Sequence, residues 1–193
     1  MNQLKVITDI EKDYEIHELS IIKDDFVGFL NDCEDSKERF DGLFPDNSST
    51  WLYYAYNIFN LTSGSLRFYK LFNELKKIAR GFLKTDEPLW MQSWLNHHNM
   101  DEVLDWHTHS NCSAHGYVSI NPMKTKTVFE DFEVENQIGK LYIGKPHKQH
   151  RVEILEKYHL PRITIAFDVL TVDDYKLSKQ QSGNKINLSP IPI

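Results

Sequence analysis

The chain has 193 residues, 40% of them hydrophobic and 12% aromatic, enough to bury the core of one domain and too apolar for a disordered chain. Its net charge of −6 argues against a sequence-independent nucleic-acid binder, which would carry a basic face. Two distant cysteines, Cys33 and Cys112, argue against a disulfide scaffold and point to a reducing, cytoplasmic setting. No apolar run approaches the ~18 residues that cross a bilayer. The first twenty residues are charged throughout and lack the apolar centre of a signal peptide.

Residues 1–17 read as an irregular or strand-like lead-in. HELSIIKDDFVGFLNDCEDSKERF (17–40) predicts a helix, with Ile21, Ile22, Phe26, Phe29 and Leu30 on one stripe. A turn-rich stretch, GLFPDNSST (42–50), leads into WLYYAYNIFNL (51–61), whose aromatic and β-branched content predicts a strand. SLRFYKLFNELKKIARGFLK (65–84) predicts a second amphipathic helix that buries Leu66, Tyr69, Phe72, Leu75, Ile78 and Phe82.

From Pro88 the texture changes. WMQSWLNHH, VLDWHTHS, HGYVSIN, KTVFEDF, KLYIGK, HRVEIL and RITIAFDVLTV are short segments punctuated by Asn, Gly and Pro. Seven short strands at this spacing predict a β-sandwich or barrel with the helices packed outside. The tail LSKQQSGNKINLSPIPI is expected to be extended or partly disordered. The layout is thus one domain: a helical or mixed part over 1–88, a β core carrying the site over 89–172, and an extended tail over 173–193.

The chemistry gathers in the β part. His107 and His109 are two apart, so an extended backbone points both to one side. Alone they could be metal ligands or a polar edge rich in imidazole. His150 lies 41 residues after His109, and Arg162 opens the apolar strand RITIAFDV twelve residues later. An arginine opening a buried strand is costly unless something anionic meets it, and its planar fork suits a carboxylate. Thr164 faces the same side and can add a hydroxyl. Tyr117, Ser119 and Asn121 alternate along GYVSIN and can line the same interior.

Other histidines read more plainly. His97 and His98 point to opposite faces, His115 lines a pocket or packs structurally, and His159 sits in a loop. His147 competes with His150 for the distal position. Trp90, Trp94 and Trp106 suit core packing better than substrate stacking. The acidic run at 130–136 reads as a solvated hairpin, and Cys112 as a small filler.

With these residues in place the sequence resembles the 2-oxoglutarate/Fe(II)-dependent oxygenases, particularly the short bacterial and phage-encoded ones. The resemblance covers residues ~90–170 and rests on His107-Thr108-His109 before GYVSIN, on the run Gly139 to Ile143, on His150-Arg151-Val152, and on Arg162-Ile163-Thr164. It implies a double-stranded β-helix (a jelly roll, cupin-like, mainly β with flanking helices) and the cofactors Fe(II) and 2-oxoglutarate. Fe(II) would be held by His107, His109 and His150. Arg162 and Thr164 would hold the far carboxylate of 2-oxoglutarate, with Tyr117 and Asn121 as further contacts to it. No catalytic side chain beyond the metal ligands is implied. The substrate would be a small molecule or a protein side chain, and the reaction a hydroxylation.

One departure stands out: the family's second ligand is Asp or Glu, and here His109 occupies that place. Asp105, which shares a strand face with His107, is one alternative, and a site in which only one of His107 and His109 binds the metal is another. Two other functions fit part of the pattern. A cupin-like protein that binds metal or a small ligand without turnover needs the histidines but not Arg162. A zinc hydrolase would need Glu130 or Asp131 as its base.

Overall fold

The computed structural model describes residues 13–41, 56–102, 104–181 and 189–193. The expected turn at 42–50, most of the lead-in and the first five residues of the expected strand at 51–61 lie outside these. Strand β1 (Tyr14–Glu18) is followed by helices α1 (Ser20–Asp24) and α2 (Phe26–Phe40), a single turn α3 (Ile58–Leu61) and the long α4 (Leu66–Leu83). Then come β2 (Trp90–His98), β3 (Ala114–Asn121), β4 (Thr125–Phe129), β5 (Glu133–Glu135), β6 (Lys140–Gly144), β7 (His150–Ile154) and β8 (Arg162–Leu170). Helix α5 (Val172–Gln181) and the short β9 (Ile191–Pro192) close the chain.

The strands form two antiparallel sheets, one of six in the order β1-β6-β3-β8-β2-β9 and one of three in the order β5-β4-β7. The sheets meet through an aromatic cluster: Phe129 of β4 packs 4.5 Å from Tyr142 of β6, and Phe132 stacks at 4.0 Å on Tyr14 of β1. Along β2, β3 and β8 the other faces carry Leu95, Val118, Ile163, Ile165, Phe167 and Val169, all buried. Against this side lie α2, on β3, and α3, on β2. The result is the expected mainly β jelly roll with helices outside. No helix among the described residues is long and apolar enough to cross a membrane.

Two glycines set close approaches. Gly139 has φ +76, and its carbonyl accepts the Leu19 amide that starts the first helical turn. Gly116 leaves room for the Phe167 ring and the Tyr142 carbonyl, both of which a side chain there would strike.

Several expectations are corrected. The first helix is broken at Asp25, whose backbone (φ −135, ψ 45) is not helical, while its carboxylate accepts from Arg67 Nε at 2.5 Å. Residues 58–61 are helical rather than extended: the Asn57 side chain accepts from the Phe59 amide and donates to the Met91 carbonyl, capping the turn and tying it to β2. Helix α4 buries Phe68, Leu71, Leu75 and Ala79, while Leu66 and Tyr69 face solvent. The stripe is rotated because α2 and α3 pack against the side of the helix that carries Phe68 and Leu71. The tail is not extended over 173–181, since Thr171 and Asp174 form a reciprocal cap that starts α5.

Candidate metal centre

The segment over 104–110 does not form the expected strand. It is a loop laid along β7, where His107 and His150 exchange backbone hydrogen bonds of 3.0 Å in both directions. The His109 amide donates to the Pro146 carbonyl at 3.2 Å, and the Ser113 amide donates to Val169 of β8 at 2.8 Å. These bonds turn a loop without regular structure into a fixed support. They bring His107, His109 and His150 together, with one ring nitrogen from each within 4.8 Å of the others.

The tautomers follow from the neighbours. His107 Nδ1 lies 2.8 Å from the Asp105 carbonyl, His150 Nδ1 3.2 Å from the Lys148 carbonyl, and His109 Nδ1 2.7 Å from the Asp168 carboxylate. Each Nδ1 therefore donates, leaving three Nε2 lone pairs as candidate ligands, an arrangement typical of metal-binding imidazoles. Burial, followed by the neighbouring imidazoles, lowers His150 to about 3. Burial also lowers His107. For His109 burial acts downward, but the charge and hydrogen bond of Asp168 together outweigh it and raise the group. His107 and His150 therefore resist protonation and offer lone pairs to a cation instead.

Strand register places a polar stripe on the face of the large sheet turned toward this cluster. His98 pairs with Arg162; Asn96, Thr164 and Ser119 form the next rung; Trp94, Ala166, Tyr117 and Tyr142 the next; Gln92, Asp168, His115 and Gly144 the last. Arg162 is 3% exposed, and its only hydrogen-bond contact among the described residues is Nη1 to His98 Nδ1 at 3.3 Å. No carboxylate there pairs with it, and burial lowers its pKa. Further polar atoms on the stripe are buried without a hydrogen-bond partner among the described residues: Asn96 Oδ1, Ser119 Oγ, His115 Nε2 and the Tyr142 hydroxyl. The Tyr117 hydroxyl comes near Thr127 without reaching hydrogen-bond geometry. Buried polar groups left unpaired cost about 1–3 kcal/mol each, so water or a polar ligand along this stripe would be favoured.

Asn121 stands apart from this stripe. A register shift between Ser119 and Asn121 takes it out of the alternation, and its amide donates to the Pro161 carbonyl at 2.9 Å. Ser119 holds the rung instead. Asp105 is exposed, and its side chain accepts from the Trp106 amide at 2.7 Å. His147 and His159 are exposed, and His97 contacts Glu34 at 3.2 Å. Trp94 is in the core against His109, whereas Trp106 is exposed with Arg151 over its ring at 5.0 Å. Glu130 and Asp131 are exposed, and Asp131 pairs with Lys148 at 2.6 Å, so neither is available as a buried hydrolytic base. Asp168 and His115 were not singled out as a pair. Asp168 was nonetheless readable, because Arg162, Thr164, Ala166 and Asp168 alternate onto one face of β8.

Two facing antiparallel sheets, with an imidazole cluster at one end and a buried guanidinium on the inner face, define a jelly roll with a candidate metal centre. Solved structures share this fold. The non-heme alpha ketoglutarate dependent carbocyclase SnoK from nogalamycin biosynthesis superposes with a TM-score of 0.60 at 11% identity, over 88% of this chain and 87% of that one. The non-heme alpha ketoglutarate dependent epimerase SnoN from the same biosynthesis gives 0.54 at 11% identity, over 83% and 77%. The non-heme monooxygenase ThoJ, in a nickel complex, gives 0.54 at 9%, over 83% and 74%. No protein-family model matches the sequence, and no curated protein matches it. At these identities the likeness establishes the fold.

Proposed function

We propose that this protein is a non-haem Fe(II)- and 2-oxoglutarate-dependent oxygenase, with Fe(II) held by His107, His109 and His150. The observation that carries the reading is Arg162: a buried guanidinium with no carboxylate beside it among the described residues, on the sheet face turned toward three converging imidazoles. A metal-binding jelly roll without turnover leaves that cation unexplained. The structural neighbours SnoK and SnoN, both non-heme alpha ketoglutarate dependent enzymes, support the same reading.

The donor set fits the cofactors. Three neutral imidazoles on one side of an ion leave its other side open. Iron and 2-oxoglutarate, when bound, supply the activation of dioxygen and the oxidation of a substrate C–H bond. The chain supplies the rest. Arg162 binds the far carboxylate of 2-oxoglutarate through its fork, with Thr164 beside it. Tyr117 and Ser119 offer hydroxyls along the way, and His115 offers a ring nitrogen near the ion. Trp94 and Ala166 exclude water between the polar rungs. The reaction is hydroxylation of a protein side chain or small metabolite. Those groups of the chain hold and orient; they move no proton themselves.

Calorimetry under argon tests this. Mn(II), a redox-stable stand-in, is expected to bind once per chain, and 2-oxoglutarate to bind only after it. Arg162→Leu is expected to retain the metal and lose 2-oxoglutarate. Undiminished binding of 2-oxoglutarate by that variant would overturn the reading.

A further inference from the structure

The reading above leaves a charge unbalanced. A carboxylate ligand would offset half of a divalent ion's charge, but His107, His109 and His150 are all neutral donors. Even in this half-buried site an uncompensated charge carries a desolvation cost. Asp168 presents the complementary problem. Its side chain is only 16% exposed, and among the described residues it pairs with no lysine or arginine. Its contacts are His109 Nδ1 at 2.7 Å and the Cys112 thiol.

We infer that Asp168 supplies, through the imidazole of His109, the negative charge that a three-histidine centre lacks. This rests on the metal reading proposed for the triad. The carboxylate lies on the Nδ1 side of the ring and the candidate ligand atom on the Nε2 side, so Asp168 acts across the imidazole rather than on the ion. A carboxylate accepting the Nδ1 proton makes the ring a stronger donor and fixes its direction. The ring has little freedom to turn away, since His115 stacks on it at 4.3 Å and Trp94 at 6.0 Å. Asp168 is equally fixed, because β8 is paired on both sides and residue 168 faces Gln92 of β2 and His115 of β3. The acid expected at position 109 is thus displaced outward by one imidazole and contributed from another strand. Asp168 is a positioning and charge-balancing residue.

Metal affinity separates this role from simple packing. Asp168→Asn keeps the shape and an acceptor oxygen for His109 but removes the charge. Calorimetric titration of the metal-free protein with Mn(II) under argon is expected to show affinity falling 10–100-fold, with the metal-free melting temperature little changed. Asp168→Ser, smaller and still able to accept, is expected to lose as much, and Asp168→Glu to recover part of it. The absorption spectrum of the Co(II)-loaded protein is expected to shift between wild type and Asp168→Asn. Equal affinity and an unchanged spectrum would overturn this inference alone. A wild-type protein that takes up no ion would instead overturn the reading of the triad itself.

Discussion

Arg162 and Asp168 stand on the same face of β8 at opposite ends of one polar stripe; among the described residues the cation meets no carboxylate and the carboxylate no lysine or arginine. Six residues of strand separate their Cα atoms by about 20 Å, too far for a direct ion pair. Arg162 is buried and Asp168 half-buried, each beside groups that leave its charge for something else to meet. A dication bound by the imidazoles near Asp168 and a dianion reaching from that ion to Arg162 would complete both ends.

Arg162→Met is therefore expected to abolish 2-oxoglutarate binding while stabilising the ligand-free fold. The variant replaces an unpaired buried charge by an apolar side chain of similar length, a gain of roughly 1–3 kcal/mol. Thermal melts should show a higher Tm for the metal-free variant and no further rise when metal and 2-oxoglutarate are added.

The hydroxyl of Tyr117 separates the two binding events. It lies two rungs from Arg162, on a residue paired with Ala166 and Tyr142. Tyr117→Phe is expected to weaken 2-oxoglutarate about 5- to 10-fold, the value of one hydrogen bond of roughly 1 kcal/mol. Metal affinity measured in the same titration should not move.

Acid should unfold the metal-free protein readily. His150 is lowered from 6.5 to about 3, and His115 is also well below its ordinary value, burial being the first cause in both. A depressed imidazole takes its proton more easily in the unfolded chain. Its contribution is thus complete above about pH 6.5 and is lost as pH falls, at up to ~1.4 kcal/mol per pH unit for each such group. His109 is raised and works in the opposite sense, losing its contribution as pH climbs above 6.5. Two strongly depressed groups dominate below pH 6.5, so Tm in chelator should drop from about pH 7 to pH 5. His115→Phe should flatten that slope, as pH-dependent melts would show.

Packing offers an independent check on the sheet. Gly116→Ala puts a methyl into the Phe167 ring and the Tyr142 carbonyl. The backbone cannot give way between two paired strands, so a loss of about 1–3 kcal/mol is expected from denaturant unfolding. Gly64→Ala, which meets no atom nearby, serves as the control.

Much of this was legible in the sequence because strands alternate. Arg162 and Thr164, two apart, had to share a face, and so did Tyr117 and Ser119. His107 and His109 were visible as a close pair on a loop, and His150 as the histidine that opens β7. What escaped were relations no local pattern encodes. Asp168 is 59 residues from His109, and only the antiparallel register of β3 with β8 brings it beneath that ring. Asn121 follows the alternation on paper, but a bulge breaks it. The buried face of α4 was misjudged because apolar residues surround the helix, and contact with α2 and α3 selects Phe68 and Leu71 over Leu66 and Tyr69. The start of α5 was written in Thr171 and Asp174, a cap that was readable and passed over.

The central claim is that one ion and one short dicarboxylate fill the space between the imidazoles and Arg162. Absorption spectroscopy under argon tests it most directly. Adding Fe(II) and then 2-oxoglutarate is expected to produce a metal-to-ligand charge-transfer band in the wild type, absent with either alone and absent in Arg162→Leu. Stoichiometric iron binding with no such band at saturating 2-oxoglutarate would contradict it.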